Sequence, residues 1–187
     1  MKKLLVLALL FAHQVAFAQS SANNSAGLSY SYAELRFVDV DTNGGDGFRI
    51  NGSWEADPNW LLVGGLTILD FNNNVDLTTL EIGGGYVWHY TGEFDLLATA
   101  RLVRTDVDAP GFSDDDTGFA ISAGTRGLLT PQFEIRGSVN HINLDNSDTY
   151  LELAGDYYFS NRISAGLSLE FAGDDDVWTV GARWYFR

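Results

Sequence analysis

Charged side chains recur at alternate positions along this sequence, and that spacing could gather them into one ion-pair network. The set contains seven acids and six arginines: Glu34, Glu55, Glu81, Glu134, Glu152, Asp156, Glu170, Arg36, Arg49, Arg101, Arg126, Arg136 and Arg183. Side chains two residues apart in a strand point to the same face of the sheet. A charge removed from water is costly unless it is paired, so the near balance of signs predicts a paired, hydrogen-bonded interior.

The same charges could instead line a small channel. A selective pore would be expected to carry an excess of one sign, and seven acids against six arginines give almost none. The pattern therefore favours a largely plugged interior crossed by ion pairs. A small ion or solute channel is the alternative.

A candidate metal site lies between the first two predicted strands. The segment Asp39-Val40-Asp41-Thr42-Asn43-Gly44 matches the first half of the calcium-loop pattern D-x-[DN]-x-[DN]-G. Calcium prefers oxygen ligands, which makes Asp39, Asp41 and Asn43 candidate ligands. The closing glutamate is missing, because Ile50 occupies its position. Any calcium binding would therefore be weak, and a polar hairpin turn accounts for the same residues. No other cofactor is expected.

Aspartates are concentrated at the connections predicted for one end of the strands. Fifteen belong to this set: Asp39, Asp41, Asp46, Asp70, Asp76, Asp106, Asp108, Asp114, Asp115, Asp116, Asp145, Asp148, Asp174, Asp175 and Asp176. Arg104 alone opposes them nearby. These carboxylates could bind divalent cations, within a loop or shared with anionic lipid head groups. A solvated surface that resists aggregation would have the same composition.

The sequence offers little for catalysis. Two histidines, His89 and His141, follow the first 18 residues. A nucleophile needs an activating base within hydrogen-bond reach, and no serine stands at a matching spacing to His141. The sequence therefore predicts that the protein is not an enzyme, and a lipid-modifying barrel enzyme is the least favoured alternative.

Ten strands are needed to carry the charged positions. Apolar and polar residues alternate through ten segments, at residues 28–39, 47–56, 60–70, 76–90, 94–106, 117–129, 133–144, 149–159, 162–172 and 177–186. In the last segment Trp178, Val180, Ala182, Trp184 and Phe186 alternate with Thr179, Gly181, Arg183 and Tyr185. A strand of about ten residues with aromatics at both ends of its apolar face can cross the outer-membrane hydrocarbon.

The connections alternate as well. Short turns are predicted at residues 57–59, 91–93, 130–132 and 160–161, and longer loops around Gly44, Asn73, Gly111, Asn146 and Asp175. Outer-membrane barrels have short periplasmic turns, longer outer loops and an even number of strands. The fold class predicted is therefore all-β, a closed antiparallel up-and-down transmembrane β-barrel of ten strands, with eight strands as the alternative.

The beginning of the chain has the features of an export signal. Residues 1–18 combine Lys2 and Lys3, an apolar stretch and a small-x-small site that ends at Ala18, which predicts a cleaved signal peptide. Residues 19–26 are a flexible lead-in, and residues 27–187 are the barrel domain. Without the signal, nine arginines against 25 acids give a net charge of −16. Nucleic acid is therefore not expected as a partner.

A soluble β-protein would also alternate, with its apolar face turned inward. Its polar face would normally mix lysine with glutamate. Here no lysine follows residue 3, and the polar faces hold arginine, glutamate, serine, threonine, glycine and tyrosine. That composition indicates an enclosed polar face and an apolar face turned towards lipid.

Residues 27–186 resemble the small outer-membrane β-barrel proteins of the OmpA and OmpX transmembrane-domain type. The chain is also similar to short acidic barrels that open with Tyr-x-Tyr-x-Glu and close with Gly-x-Arg-x-x-Phe, here Tyr30, Tyr32, Glu34, Gly181, Arg183 and Phe186. The resemblance implies that the last strand is read by the barrel-assembly machinery, with Trp184 and Phe186 carrying the signal. Arg187 departs from the pattern, because it follows the expected terminal phenylalanine.

The sequence thus predicts an integral protein of the outer membrane of a Gram-negative bacterium. A structural or surface-interaction role is expected, carried by acidic extracellular loops above a plugged lumen. Outer-membrane lipids and lipopolysaccharide are the expected partners, and the protein is expected to be a monomer.

Overall fold

The structure, a computed structural model, describes residues 27–41, 44–72, 74–172 and 175–186. The predicted signal peptide (1–18), the predicted lead-in (19–26), Asn43 of the candidate calcium site and Asp174 lie outside the described residues. No helix in the described part of the chain is long and apolar enough to cross a membrane.

Ten antiparallel strands close into one barrel. They are β1 (Tyr32–Val40), β2 (Gly45–Asp57), β3 (Trp60–Phe71), β4 (Val75–His89), β5 (Phe94–Ala109), β6 (Phe112–Thr130), β7 (Phe133–Asn143), β8 (Ser147–Ser160), β9 (Ile163–Ala172) and β10 (Asp175–Tyr185). Each strand pairs with its neighbours in sequence, and β10 pairs with β1. The predicted fold class is confirmed with ten strands, and the eight-stranded alternative is wrong.

The barrel is apolar outside and polar inside. Leu62, Ile82 and Leu102 lie on the outer surface with 59%, 65% and 66% of their area exposed. Glu134 and Arg183, at inward positions, are 0% and 1% exposed. This inversion of the usual soluble pattern follows from the two-residue period of a strand, because each strand turns one set of side chains to each face. Such an outer surface requires an apolar solvent around it.

Both chain termini of the barrel lie at one end, here called the terminal end. The turns there are short: Pro58–Asn59, residues 90–93, Pro131–Gln132 and residues 161–162. Three register shifts lie beside these turns, in the pairs β2–β3, β6–β7 and β8–β9. The opposite end, here called the far end, carries the remaining connections.

The far-end connections differ from the long acidic loops that we predicted. β5 and β6 are 16 and 19 residues long and meet in a tight turn at Pro110–Gly111. Gly111 has a φ of 81°, which side chains other than glycine rarely adopt. Most of the aspartates therefore lie on strand ends rather than in loops. The prediction was wrong because aspartate is depleted in strands on average, whereas these strand ends project into water.

An unpaired strand edge gives one reason for these charges. Residues 112–118 of β6 pair with β5 alone, since the pairing with β7 begins only at Phe119. Asp114, Asp115 and Asp116 lie on this segment. Charged side chains on an exposed edge discourage pairing with another chain.

Five aspartates lie side by side across the far ends of β1 to β5. The register places them directly opposite one another in the order Asp39, Asp46, Asp70, Asp76 and Asp108. All five are on the outward face, by their parity with exposed apolar residues such as Phe48 and Ile68. We call these five residues the aspartate row.

Candidate functional site

Arg183 of β10 lies at the centre of an ion-pair layer inside the barrel. Its Nη2 donates to Glu34 of β1 at 2.9 Å, and its Nη1 donates to Glu134 of β7 at 3.2 Å. Nη1 also donates to the hydroxyl of Tyr185 at 3.0 Å. The arginine therefore links its neighbour strand β1 to β7, which is three strands away around the barrel.

Arg126 of β6 makes the second bridge of the layer. Its Nε and Nη2 donate to the two carboxylate oxygens of Glu134, each at 2.8 Å. This two-pronged geometry is the strong form of the arginine–carboxylate pair. The hydroxyl of Tyr158 donates to the same carboxylate, which is thus fully surrounded by donors.

Arg36 of β1 and Arg136 of β7 complete the layer. Arg36 donates to Glu34 at 2.7 Å, to Thr179 at 3.0 Å and to Asp156 of β8 at 3.3 Å. Arg136 lies 3.3 Å from the second oxygen of Asp156. We call Glu34, Arg36, Arg126, Glu134, Arg136, Asp156 and Arg183 the plug layer.

The start of the described chain lies inside the barrel, beside the plug layer. We had predicted a first strand that begins at residue 28, but β1 begins at Tyr32. Residues 27–31 instead enter the terminal end of the barrel. Leu28 and Tyr30 are each 2% exposed and pack in a cluster with Leu61 and Val87. Leu61 of β3 and Val87 of β4, which point inward, are thus covered by residues 27–31 and not by another strand.

Polar contacts hold this segment in place. The hydroxyl of Tyr30 donates to Asp95 at 2.8 Å, and Arg126 donates to the carbonyl of Ser29 at 2.9 Å. The guanidinium of Arg126 also lies over the ring of Tyr30, 4.7 Å from its centre. We call residues 27–31 the terminal segment. It lies inside the barrel beside the plug layer.

A cavity of about 440 Å³ lies against the plug layer and extends along the lumen. Its lining runs from Tyr30 and Arg126 to Asp148, an exposed residue at the far end of β8. Two further ion pairs cross its wall, Arg49 with Glu170 and Arg101 with Glu81, the latter at 2.8 Å.

The structure brings the predicted lumen charges together. Glu34, Arg36, Arg126, Glu134, Arg136, Asp156 and Arg183 form the plug layer, and Arg49, Glu81, Arg101, Glu152 and Glu170 line the cavity. Glu55 is half-buried near the terminal end of β2. The geometry supports an enclosed network, and its role stays a prediction.

Sequence reasoning missed several members of the site. Asp95 is fully buried and accepts from Tyr30, and its other oxygen lies 2.9 Å from Nδ1 of His89. Asp95 lies an even number of residues from Arg101 on β5, so the two-residue period would have placed it on the same inward face. Tyr158 and Tyr185 stack 5.4 Å apart beside the carboxylate of Glu134. The terminal segment had no signal, because an alternating stretch continues through it into β1.

The residues assigned to assembly and to calcium lie on the outside of the barrel. Trp184 and Phe186 face outward, 59% and 43% exposed, with ring centres 6.3 Å apart. Asp39 lies in the aspartate row and Asp41 is exposed just after β1. Within the described ranges no group of three or more acids, histidines or cysteines is arranged to hold a metal. Since Asn43 is outside those ranges, the calcium site stays a prediction.

Each histidine has a polar partner among the described residues. His89 bonds to Asp95 and, through Nε2, lies 3.2 Å from the carbonyl oxygen of Pro58. His141 faces outward, and its Nδ1 is 2.9 Å from the hydroxyl of Thr149. Both histidines therefore have structural partners.

A closed antiparallel barrel with an apolar exterior and a charged interior defines the class of transmembrane β-barrels. The chain belongs to the outer membrane protein beta-barrel domain family, whose sequence model matches residues 4–186. Barrels of this class have their short turns on the periplasmic side, and by that rule we call the terminal end periplasmic and the far end outer.

Solved structures share the fold at low sequence identity. An outer membrane channel from Pseudomonas putida F1 aligns with a TM-score of 0.55 and 7% identity, over 89% of this chain and 99% of that chain. The NanC porin gives 0.51 and 9%, over 82% and 100%. The KdgM porin gives 0.51 and 10%, over 83% and 99%. A comparison with curated proteins found no match. These likenesses concern the fold alone.

Proposed function

We propose that this protein is a non-conducting outer-membrane barrel that acts at the cell surface. The observation that carries the proposal is the plug layer, together with the terminal segment that lies beside it inside the barrel. Arg183 joins Glu34 and Glu134 across the lumen, and all three side chains are buried. An ion would have to pass through these contacts.

The energetics favour a closed lumen. Removing one partner of a buried ion pair costs about 3–5 kcal/mol, because it leaves an uncompensated charge. A pathway through the plug layer would have to separate Arg183 from two carboxylates and Arg126 from Glu134. The terminal segment would have to move as well, since it packs against Leu61 and Val87.

The surface role rests on the outer end of the barrel. Neighbouring strands lie about 5 Å apart, so the aspartate row sets five carboxylates at close intervals on the outward face. Like charges directly opposite each other destabilise a sheet. Divalent cations such as calcium would relieve this repulsion, and they could be shared with the anionic head groups of lipopolysaccharide.

Two further expectations belong to this proposal. Trp184 and Phe186, exposed at the periplasmic end of β10, are the residues that the barrel-assembly machinery would read. The protein acts as a monomer. It also acts without catalysis, since His89 is held by a carboxylate and a backbone carbonyl, and His141 contacts a single threonine hydroxyl on the outward face of the barrel.

Single-channel recording in planar bilayers tests the proposal. The purified, folded protein should give a flat current trace over the voltage range in which porins open. Regular conductance steps from the wild-type protein would overturn the closed-lumen proposal.

A small channel is the second candidate function. It is favoured by the fold shared with two porins and a channel and by the cavity of about 440 Å³ inside the barrel. In that case the terminal segment is the part that must move, since few charge contacts hold it. Steps seen in wild type and abolished by tethering the segment would favour this function.

A further inference from the structure

The cavity on the outer side of the plug layer is lined by many polar side chains, which would not be needed only to close the lumen. Eight serines and threonines and two asparagines line it, together with five acids and five arginines. The side chains around a cavity with no ligand are normally apolar, or their polar groups are hydrogen-bonded to one another. This wall instead offers donors and acceptors to the space it encloses.

Several of these groups have no hydrogen-bond partner within the described residues. Nε of Arg101 and Oγ of Ser53 are buried without a hydrogen-bond partner, and Nε and Nη2 of Arg136 form ion pairs but no hydrogen bond. All three residues line the cavity. A buried polar group left without a partner is costly, so such groups mark places where a ligand or water binds.

Acceptors accompany the donors. Glu152 and Tyr150 of β8 line the same cavity, and neither side chain has a hydrogen bond or ion pair to another described residue. The register places Glu152 opposite both Ser138 and Glu170. Glu170 is already held by Arg49. Glu152 lies in the field of Arg49 and Arg136 without a hydrogen bond to either, so its carboxylate can accept from a ligand.

The charge balance of the cavity selects the ligand class. Its five acids are matched by five arginines: Glu34, Glu81, Asp148, Glu152 and Glu170 with Arg36, Arg49, Arg101, Arg126 and Arg136. A ligand with a net charge would upset this balance in a medium of low dielectric. A neutral molecule with many hydroxyl groups would use both the donors and the acceptors.

We propose that this cavity binds a small neutral sugar. Arg101, Arg136 and Glu152 would bond its hydroxyl groups, and the ring of Tyr150 offers a flat apolar surface for the C–H face of the sugar ring. The volume of about 440 Å³ lies within the range of small-molecule sites. Access is from the outer end, where Asp148 is exposed. The site does not depend on whether the lumen conducts.

Saturation-transfer NMR on the folded protein in detergent micelles tests the proposal, with D-glucose, D-galactose and maltose as probes. At least one of the three should bind saturably. Tyr150→Ala and Glu152→Ala should each weaken binding roughly tenfold, the effect expected for losing a charge-assisted hydrogen bond or an aromatic contact. Glu152→Gln, which keeps an acceptor of the same shape, should fall between Glu152→Ala and wild type.

Two further variants separate a specific site from general effects. Thr99→Phe should abolish binding by filling the cavity, and Glu93→Gln, in an exposed turn at the periplasmic end, should leave it unchanged. Heat-modifiable migration on gels confirms that each variant is folded. The proposal is overturned if none of the three sugars binds, if the Tyr150 and Glu152 variants bind as wild type does, or if D-galacturonate binds more tightly than the neutral sugars.

Discussion

Glu34 on the first strand and Arg183 on the last lie directly opposite each other where the barrel closes, and their side chains form an ion pair of 2.9 Å. The same contact therefore belongs to the closing seam of the barrel and to the plug layer in its lumen. Its loss should affect both the stability of the barrel and the closure of the lumen.

Replacing Arg183 with methionine tests the energetic part of this relationship. The change leaves Glu34 and Glu134 short of a buried partner, so the free energy of unfolding should fall by about 3–5 kcal/mol. Urea unfolding in lipid vesicles, followed by the gel-mobility shift, measures it. Arg104→Met is the matched control, because the Arg104–Asp106 pair is exposed to solvent and exposed ion pairs contribute little to stability. Equal losses in the two variants would contradict the structural role of the plug layer.

Removing the side chains of the terminal segment should open the lumen. In the double variant Leu28→Gly and Tyr30→Ala, the packing against Leu61 and the bond to Asp95 are both lost. We expect conductance steps in planar bilayers from this variant and a flat trace from wild type. Tyr30→Phe is the control, since it keeps the ring and should stay closed. A flat trace from the folded double variant would show that the plug layer closes the lumen without the terminal segment.

Neutralising part of the aspartate row should change the response to calcium. Asp70→Asn with Asp76→Asn relieves repulsion between directly opposed carboxylates, so the unfolding temperature without calcium should rise. The further rise that millimolar calcium is expected to cause in wild type should shrink, because binding to the folded state stabilises it in proportion to affinity. Thermal unfolding in detergent, with chelator as reference, measures both. Asp57→Asn, at the periplasmic end, serves as control; a wild type that does not respond to calcium would leave the row without a metal role.

Changing Trp184 and Phe186 to alanine should reduce assembly rather than stability. Both rings are exposed on the outer surface at the periplasmic end. Removing any other exposed aromatic at that end should therefore change the packing against lipid to a similar extent. Trp60→Ala with Phe133→Ala, which removes two other exposed aromatics of that end, is the matched control. The amount of folded protein in the outer-membrane fraction should fall only in the first pair. Equal amounts from both pairs would argue against an assembly signal at these residues.

The faces of the strands were predictable because a strand has a period of two. Once the outward set was recognised from residues such as Ile82 and Leu102, most inward charges followed, including Glu134 and Arg183, although Asp95 was missed. The pairing of strands was predictable too, since an up-and-down barrel leaves one way to join ten strands in order.

The details that escaped prediction depend on contacts between distant residues. Nothing near Tyr30 in sequence shows that it leaves the β1 alternation to meet Asp95, which is 65 residues away. The aspartates of β6 looked like loop residues, because their place on a projecting edge is visible only once the pairing of β5, β6 and β7 is known. The cavity likewise depends on which inward side chains are short on facing strands.

The seam between β1 and β10 also bears on the order of folding. Glu34 and Arg183 are 149 residues apart in sequence, and contacts of such separation form late because of the entropy of closing the chain. Until the tenth strand docks, the carboxylates of Glu34 and Glu134 lack a guanidinium that they need in a dry interior. A polypeptide that lacks the tenth strand would thus bury these carboxylates without Arg183, at a cost in free energy. The network therefore stabilises the closed barrel only when all ten strands are present.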